Sequence, residues 1–404
     1  MADPAHEIGK RVRYWRLRRN IGRKQFADMV GRSTSWLDKI ETGERHLVRL
    51  PTLELVADAL GIDPTVLTDA PAAERASACV DPTEVLAIRS ALGSYPALGR
   101  QAAAPVVLAN LQRQADYLDH AWTASHFTTV AQHLPTLLGD AQRAVSTAPQ
   151  SEAVEAYRVL VTTYRLASSM LLKFESNDIA WLAADRAIHT ALAVNDTWSL
   201  ARATRSLARA MTSVQQPSEA ISALQTMADG MRAEVANDEE HLLSLMGMLF
   251  LAASITAAEQ ENASLALAMH EQASQAAEQM QRHYRTHHTY FGRTNVAVHR
   301  VAALVRLHDS QASLRYAETI PPEAIAGLSP ERRASFLLDL TEAKIMCGDY
   351  RDAARLLSQV EHTAPQEVRC RPLAHSLLRL LLANTTGEPG RMVKQMAERA
   401  GVPA

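Results

Sequence analysis

Amphipathic periodicity runs along almost the whole chain. Alanine and leucine recur at helical spacing, β-branched runs are scarce, and the 404 residues include only 16 glycines. This pattern predicts a nearly all-helical, all-α fold. Polar or proline-containing breaks separate the longer helices at Asn195-Asp196, Pro217, Asn237-Asp238, Asn262, Pro321-Pro322, Pro330 and Pro365.

The pattern changes once along the chain, and the change predicts two domains. Short helices separated by glycines fill residues 8–67, whereas residues 69–80 lack periodic hydrophobicity and are typical of a linker. At residues 81–84, Asp-Pro-Thr-Glu supplies an N-cap, a proline at the first helical position and an acid at the third. We therefore expect an N-terminal domain at 1–68 and a helical domain at 81–404.

A weak repeat runs through residues 81–404. After each polar break, a small residue opens a second helix. These residues are Ala180, Ala220, Ala263, Ala312 and Ala353, and successive ones are 40, 43, 49 and 41 residues apart. The clearest unit is residues 347–357, where a Gly-Asp-Tyr turn precedes two alanines. It resembles the tetratricopeptide-like helical hairpin in a longer, more degenerate form, which implies an α-solenoid with a concave binding surface. An irregular α-bundle is the alternative.

Residues 20–45 have the pattern of two short helices joined by a tight turn. The inward positions are apolar: Phe26, Ala27, Val30, Leu37 and Ile40. Gly31 permits the turn, Ser33 is a good N-cap, and Gly43 is a good C-cap. The outward positions of the second helix are polar: Thr34, Ser35, Asp38 and Lys39. This arrangement predicts helix-turn-helix geometry.

The order and spacing of these residues resemble the Xre-type, phage-repressor-like helix-turn-helix domain. The matching positions are Ile8 to Arg13, Arg16, Phe26 to Gly31, Ser33, Ile40 to Gly43, Leu53, Val56, Ala57, Leu60, Gly61 and Leu67. The resemblance covers about 60 of the 404 residues and implies a five-helix domain. Arg23, Trp36 and the proline-free loop 44–49 depart from the family pattern, which leaves the recognised DNA sequence open.

The resemblance also implies how double-stranded DNA is bound. The helix from Thr34 to Glu41 would enter the major groove, and Thr34, Ser35 and Lys39 would read base edges. Phosphate contacts would come from three residues around it: Arg23, Arg32 and Arg45. Trp36 and Asp38 are secondary contact candidates, and Trp36 packing against a neighbouring helix is the alternative for that side chain.

Five arginines lie on the first predicted helix: Arg11, Arg13, Arg16, Arg18 and Arg19. They either add phosphate contacts or form a solvated basic face. We expect Glu41 to cap or pair within the domain rather than to read bases.

The charge distribution supports this division of roles. The whole chain has a net charge of −2, from 42 basic and 44 acidic residues. Residues 8–49 nevertheless carry 12 basic and 4 acidic residues, a net charge of +8. A basic segment on a slightly acidic remainder is typical of a nucleic-acid-binding domain joined to a larger body.

A second basic segment lies inside the acidic part of the chain. Residues 279–308 contain five arginines, five histidines and no acid. If this segment lines the concave face, it could hold a carboxylate-bearing ligand or a short peptide, and the candidate residues are Arg282, Arg285, His288, Arg293, Asn295 and Arg300. A solvated or interface-facing stretch is the alternative. His283 and His287 are one helical turn apart, but the segment has no third ligand of another type, so we expect no metal site.

Other functional classes find little support. Cys79, Cys347 and Cys370 form no CxxC pair, which favours a reducing compartment. The uncharged run Leu242–Ala258 is short for a bilayer and predicts a buried helix. The chain contains no phosphate-binding loop, His-Glu-x-x-His or Gly-x-Ser-x-Gly motif, so we expect neither an enzyme nor a cofactor.

These observations favour a bacterial, cytoplasmic, nucleoid-associated transcription regulator. Bacterial proteins that join an Xre-type domain to tetratricopeptide-like repeats include several that respond to short signalling peptides, so the resemblance implies an effector-binding repeat domain. One such module has a small footprint, which predicts a homodimer on a pseudo-palindromic operator. The alternative is an adaptor whose repeats bind a protein partner and whose N-terminal domain tethers it to DNA.

Overall fold

The protein is built from helices and connecting turns. The computed structural model describes residues 4–47, 49–95, 106–235, 240–280 and 290–403, and within these ranges all regular secondary structure is helical, as the hydrophobic pattern predicts. The chain divides into two compact units, Met1–Ala87 and Ile88–Ala404.

The first unit is a small bundle around one apolar core. Its helices are α1 (Pro4–Arg18), α2 (Arg23–Met29), α3 (Thr34–Glu41), α4 (Leu50–Leu60), α5 (Pro64–Thr68) and α6 (Ala70–Ala78), and α7 (Pro82–Gly93) begins in it. The largest side chains of its core are Trp15, Phe26, Leu37, Ile40, Leu60 and Leu67. A Cβ on Gly9 would overlap the carbonyl oxygen of Ile40, so glycine at this position lets α1 lie directly against α3.

Residues 69–80, predicted to be a linker, contain helix α6 and belong to the first compact unit. Asp69 caps this helix by accepting a hydrogen bond from the Ala72 amide at 3.1 Å. The Arg18 guanidinium donates to the carbonyl oxygens of Ser77 (2.8 Å) and Cys79 (2.6 Å). Backbone carbonyls therefore help to hold the end of this segment in place.

The second unit is a succession of helical hairpins. Its helices are α8 (Leu108–Thr123), α9 (Phe127–Thr147), α10 (Ala153–Lys173), α11 (Asn177–Val194), α12 (Thr197–Ser213), α13 (Pro217–Val235), α14 (Glu240–Glu259), α15 (Ala263–Gln279), α16 (Arg293–Arg306), α17 (Ser310–Ala317), α18 (Pro322–Ala326), α19 (Pro330–Met346), α20 (Tyr350–Thr363), α21 (Pro365–Arg369), α22 (Pro372–Asn384) and α23 (Gly387–Ala400). The architecture is a tetratricopeptide-like α-solenoid, as predicted.

One turn geometry recurs at six of these hairpins. Two residues before the second helix of each, the backbone adopts positive φ between 56° and 76°, at Ser125, Glu175, Gln215, Glu261, His308 and Gly348. The fourth residue of each second helix is at most 1% exposed: Val130, Ala180, Ala220, Ala266, Ser313 and Ala353. The equivalent buried positions are Ala266 and Ser313, where the sequence pattern predicted Ala263 and Ala312. These two predicted repeat positions were therefore wrong, the first by three residues and the second by one. Gly348 is the one glycine among the six turns, so the sequence signal for the repeat is weak.

The uncharged run Leu242–Ala258 lies within α14 and forms part of the core of the second unit. The segment His241–Glu259 is long and apolar enough to cross a membrane by length and composition alone, but 83% of its apolar window is buried in the protein. The prediction of a buried helix is thus confirmed. Gly247 faces the ring of Phe291, and a Cβ there would overlap the ring, so the glycine makes room for this aromatic side chain.

The first helices of the hairpins form an inner layer that closes on itself. In this layer α8, α10, α12, α14, α16 and α19 contact one another in succession, and α19 also contacts α8. Across the closure, the Thr128 amide donates to Gln366 Oε1 and Gln366 Nε2 donates to Thr128 Oγ1, both at 3.0 Å. Because the ends of the layer meet, the concave face surrounds a central, partly open cavity.

Candidate functional site

Helix α3 presents a polar face to solvent. Ser33 caps the helix, and its Oγ accepts a hydrogen bond from the Trp36 amide at 3.1 Å. Leu37 and Ile40 are buried at 0–1% exposure on the opposite face. The three predicted base-reading residues, Thr34, Ser35 and Lys39, are all exposed on α3. The structure therefore brings them together on one short helix.

The three predicted phosphate-contacting arginines are also exposed, but one of them is paired. Arg23 Nε lies 3.3 Å from Asp38 Oδ1 and 3.8 Å from Glu41 Oε2. Arg32 and Arg45 border a shallow groove beside the start of α3, together with Asp28 and Ser33. Arg23 thus shields the acidic Asp38 on the recognition face, and Arg32 and Arg45 add positive charge beside it.

Trp36 is half-buried and packs against the apolar core of the first unit. The Arg32 guanidinium carbon lies 5.8 Å from the centre of its ring, within the range of a cation–π contact. Packing against the domain, one of the two alternatives for this residue, is therefore observed. The exposed part of the ring borders the same groove as Arg32 and Arg45.

Most arginines of α1 have partners inside the first unit. Arg16 forms a bidentate pair with Glu41 at 2.6 and 2.9 Å, and Arg18 forms another with Glu84 at 2.7 and 3.0 Å. Arg19 Nη2 lies 2.6 Å from Asp81 Oδ2. The sequence analysis expected these three side chains to contact phosphates or to form a solvated face, and for all three this expectation was wrong, because they pair with acids inside the unit. The structural role expected for Glu41 is confirmed.

The other two α1 arginines differ from each other. Arg11 Nη1 donates to the Leu67 carbonyl at 2.8 Å, so it ties α1 to the end of α5. Arg13 is exposed and agrees with a solvated basic face. The basic residues of α1 thus mainly hold the domain together.

The predicted effector residues are not assembled into one site within the described part of the chain. Arg282, Arg285 and His288, with the paired histidines His283 and His287, lie outside the described residues. Arg293 is exposed at the start of α16 and Arg300 is half-buried. Asn295 is only 1% exposed and its Nδ2 faces Met248 Sδ at 3.4 Å. Asn295 is therefore a buried residue, and its role toward a ligand stays a prediction.

The central cavity of the second unit has a volume of about 580 Å³. Tyr290, His299 and Arg306 border it, so part of the basic segment 279–308 does reach the concave face. Burial, together with the nearby arginine charges, holds the pKa of His299 well below its usual range, so this histidine is neutral at pH 7. Its Nδ1 lies 2.7 Å from the Asn295 carbonyl oxygen.

Basic side chains from five parts of the second unit border this cavity: Arg165, Lys173, Arg205, Arg209, Arg306, Arg332 and Arg371. Four acidic side chains border it as well: Asp119, Glu259, Glu331 and Asp339. The lining thus has more positive than negative groups around one partly open space.

Some of these cations are neutralised by direct ion pairs. Lys173 Nζ lies 3.0 Å from Glu331 Oε1 and 2.6 Å from Glu367 Oε1. Arg306 pairs with Asp339 at 2.9 Å and with Glu259 at 3.5 Å. Burial by itself would raise the pKa of Glu331, but the charges of Lys173 and Arg332 outweigh it and hold that pKa below its usual range.

Three of the cations have no ion pair among the described residues: Arg165, Arg205 and Arg209. The Nε atoms of Arg165 and Arg205 are buried and have no hydrogen-bond partner there. Burial, followed by repulsion from Arg209, Arg332 and Arg165, holds the pKa of Arg205 well below its usual range. The Arg209 side chain is exposed to solvent within the cavity. The surrounding protein and the positive charges of Arg332 and Arg371 lower its pKa as well.

The cavity arginines were missed at the sequence level. The available signal was the spacing of Arg202, Arg205 and Arg209, which places them on one face of a helix, within residues 197–213 that contain no acid. Arg202 lies deeper, where its Nη1 donates to Thr162 Oγ1 at 3.2 Å and its guanidinium carbon lies 4.1 Å from the centre of the Trp198 ring.

Comparison with known proteins agrees with the geometry of the first unit. Residues 7–70 match the family model described as a helix-turn-helix domain. None of the curated proteins compared with the chain matches it. The N-terminal unit is thus a helix-turn-helix domain, the class of module that docks a helix in the DNA major groove.

Among solved structures, the chain is similar to Bacillus thuringiensis PlcR, crystallised in complex with the peptide PapR7 and DNA. The two are 11% identical, the match covers 89% of this chain and 99% of that chain, and the TM-score is 0.38. That score is too low for the superposition to assign a role to any residue here.

Proposed function

We propose that the protein is a sequence-specific, DNA-binding transcription regulator of the Xre type. Helix α3 enters the major groove, where Thr34, Ser35 and Lys39 read base edges. Arg23, Arg32 and Arg45 contact phosphates around it. The observation that carries the proposal is the exposed polar face of α3 on a segment that matches a helix-turn-helix domain.

We further infer that two copies bind a pseudo-palindromic operator, since a single module of this size buries little DNA surface. The α-solenoid then acts as the sensor. An effector in its cavity changes DNA binding only if it binds the competent and incompetent dimer arrangements unequally. The partly open, charged cavity supports this role for the second unit.

Genome-wide mapping of binding sites with the full chain, followed by titration of the recovered operator, tests the proposal. Lys39→Ala should weaken operator binding about tenfold or more while leaving random DNA nearly unaffected, because a specific base contact contributes about 1–3 kcal/mol. Arg23→Ala should weaken both DNAs by a similar factor, because a phosphate contact carries no sequence information.

Lys24→Ala is the matched control for loss of one exposed positive charge close to the same surface. If Lys39→Ala and Lys24→Ala reduce operator and random-DNA binding by the same factor, Lys39 does not read bases. Absence of any enriched genomic site would contradict the regulator function itself. Wild-type affinity should also fall steeply with salt, since phosphate contacts release counterions.

A further inference from the structure

The central cavity is a partly open space that carries unmatched positive charge. It lies inside the closed inner layer of α8, α10, α12, α14, α16 and α19, and its volume of about 580 Å³ is in the range that holds small organic ligands. Side chains from α10, α12 and α19 supply most of its arginines. A solute that enters is therefore surrounded by guanidinium groups from several helices.

The acids near the cavity are already engaged with other cations. Glu331 contacts Lys173, and Asp339 contacts Arg306. Glu367, just behind the lining, contacts both Lys173 and Arg371. Asp119 attracts Arg165 and partly balances it. No described acid makes an ion pair with Arg205 or Arg209, so the excess positive charge is concentrated on α12.

Keeping such charges together is unfavourable for the empty protein. The surrounding protein takes part of the hydration from these guanidinium groups, although Arg209 stays exposed within the cavity, and the neighbouring arginines repel one another. The pKa values of Arg165, Arg205 and Arg209 therefore all fall. Like-charged groups that border one cavity are typical of a binding site. An arginine donates two parallel hydrogen bonds to a carboxylate or a phosphate, which identifies the complementary ligand.

We propose that this cavity binds a small multivalent oxyanion, a phosphate ester or a polycarboxylate, through Arg165, Arg205 and Arg209. In the proposed function, this oxyanion is the effector that controls DNA binding. Its role as a regulator therefore rests on the proposed function, whereas its binding to the cavity does not. The oxyanion neutralises the three guanidinium groups and fills hydrogen-bonding positions that no described side chain fills.

The test measures binding of two defined probes to the full chain, pyrophosphate for phosphate chemistry and citrate for carboxylate chemistry. We expect at least one of them to raise the melting temperature of the second unit by about 2 °C or more at saturation, because a ligand that binds only the folded state stabilises it. Sodium chloride at matched ionic strength should give a clearly smaller rise. The probe that acts identifies which of the two chemistries the cavity accepts.

Arg205→Gln is the decisive variant, and Arg351→Gln, on the exposed face of α20, is its matched control. Arg205→Gln should bind the active probe at least tenfold more weakly by calorimetry, while Arg351→Gln binds as the wild type does. Without any probe, Arg205→Gln should melt at the wild-type temperature or above it, because one unmatched charge is gone. Arg209→Gln repeats the measurement at a second position.

Three results would overturn the proposal: no response to either probe, an equal response to chloride, or equal weakening by Arg205→Gln and Arg351→Gln. A melting temperature that falls in Arg205→Gln without probe would show a structural role instead. Operator titrations are run on the same preparations. Probe binding without DNA binding would refute the proposed function alone, and DNA binding without probe binding would refute the oxyanion site alone.

Discussion

Arginine clusters occur in both units of the protein, but the arginines of the two clusters differ in whether they have an acidic partner. In the first unit, Arg16 and Arg18 each meet a buried glutamate through two hydrogen bonds. In the second unit, Arg205 and Arg209 border a cavity with no ion pair among the described residues. The first arrangement holds helices together, whereas the second leaves binding capacity for a ligand.

The pKa shifts follow the same division. Burial alone would lower the pKa of the Arg18 guanidinium, but the hydrogen bond and charge of Glu84 outweigh it and raise that pKa above its ordinary value. For Arg205, burial and repulsion act in the same direction, and the pKa falls. The difference shows that burial of an arginine says little about its role until its partners are known.

The largest effect is expected from breaking a matched pair. Glu41→Gln leaves the Arg16 guanidinium buried, with a side-chain exposure of 5%, and without its counter-charge. Loss of one partner of such a pair costs about 3–5 kcal/mol. Urea unfolding of the full chain, monitored in the first unit by peptide-resolved hydrogen exchange, measures the effect. We expect the unfolding free energy of this unit to fall by an amount in that range. A loss below about 1 kcal/mol would mean that the pair behaves as a surface pair.

The next effect concerns the matched cation of the second unit. Lys173→Met removes the charge that holds Glu331 and Glu367, and we expect a loss of about 3 kcal/mol at pH 7. The folded-state pKa of Glu331 is depressed in the wild type, so its contribution is present above the ordinary glutamate pKa, near 4.3, and is lost as the pH falls below it. The difference between variant and wild type should therefore shrink toward acidic pH.

Urea midpoints for the second unit at neutral and acidic pH check this expectation. Lys344→Met is the matched control, because Lys344 pairs with Asp349 at the surface at 2.8 Å and should matter far less. A destabilisation by Lys173→Met that stays constant from neutral pH to about pH 3, well below the ordinary glutamate pKa of about 4.3, would contradict the linkage to Glu331.

The sequence predicts the helix-turn-helix unit well because its signals are local. Gly31, Ser33 and Gly43 mark the ends of two neighbouring helices, and the apolar positions between them identify the buried face. The α-solenoid is predictable as a class, but its register is not. Positive φ at Glu261 and His308 is imposed by hairpin packing rather than by glycine, so neither turn carries a sequence mark.

The cavity could not be predicted because its walls are distant in sequence. Arg165 lies on α10, Arg205 on α12 and Arg332 on α19, and closure of the inner layer brings them around one space. Spacing within α12 reveals a shared helix face but not what that face meets. The same limit explains Arg18, whose partner Glu84 lies 66 residues away. Charge clusters were visible in the sequence, whereas charge matching required the fold.

A smaller effect, of opposite sign, is expected from removing an unmatched charge. Arg165→Met deletes a cation that lacks an ion pair among the described residues and keeps much of the side-chain volume. Replacing buried charges by apolar groups is often neutral or stabilising, so we expect a gain of about 1 kcal/mol in the ligand-free protein. The measurement is urea unfolding of the second unit in an oxyanion-free buffer. A loss comparable to that of Glu41→Gln would erase the distinction between the two regions.

The smallest effect on stability is expected at the DNA-binding face itself. Arg23 and Asp38 lie 3.3 Å apart with side-chain exposures of 55% and 48%, so solvent screens their attraction. Arg23→Ala should therefore change the unfolding free energy by less than about 0.5 kcal/mol. Urea unfolding of the first unit tests this value, and Glu41→Gln, measured alongside, gives the scale of a buried pair. If Arg23→Ala destabilises the unit by more than about 1 kcal/mol, its effect on DNA affinity can no longer be assigned to a lost phosphate contact, because the position of α3 would change as well.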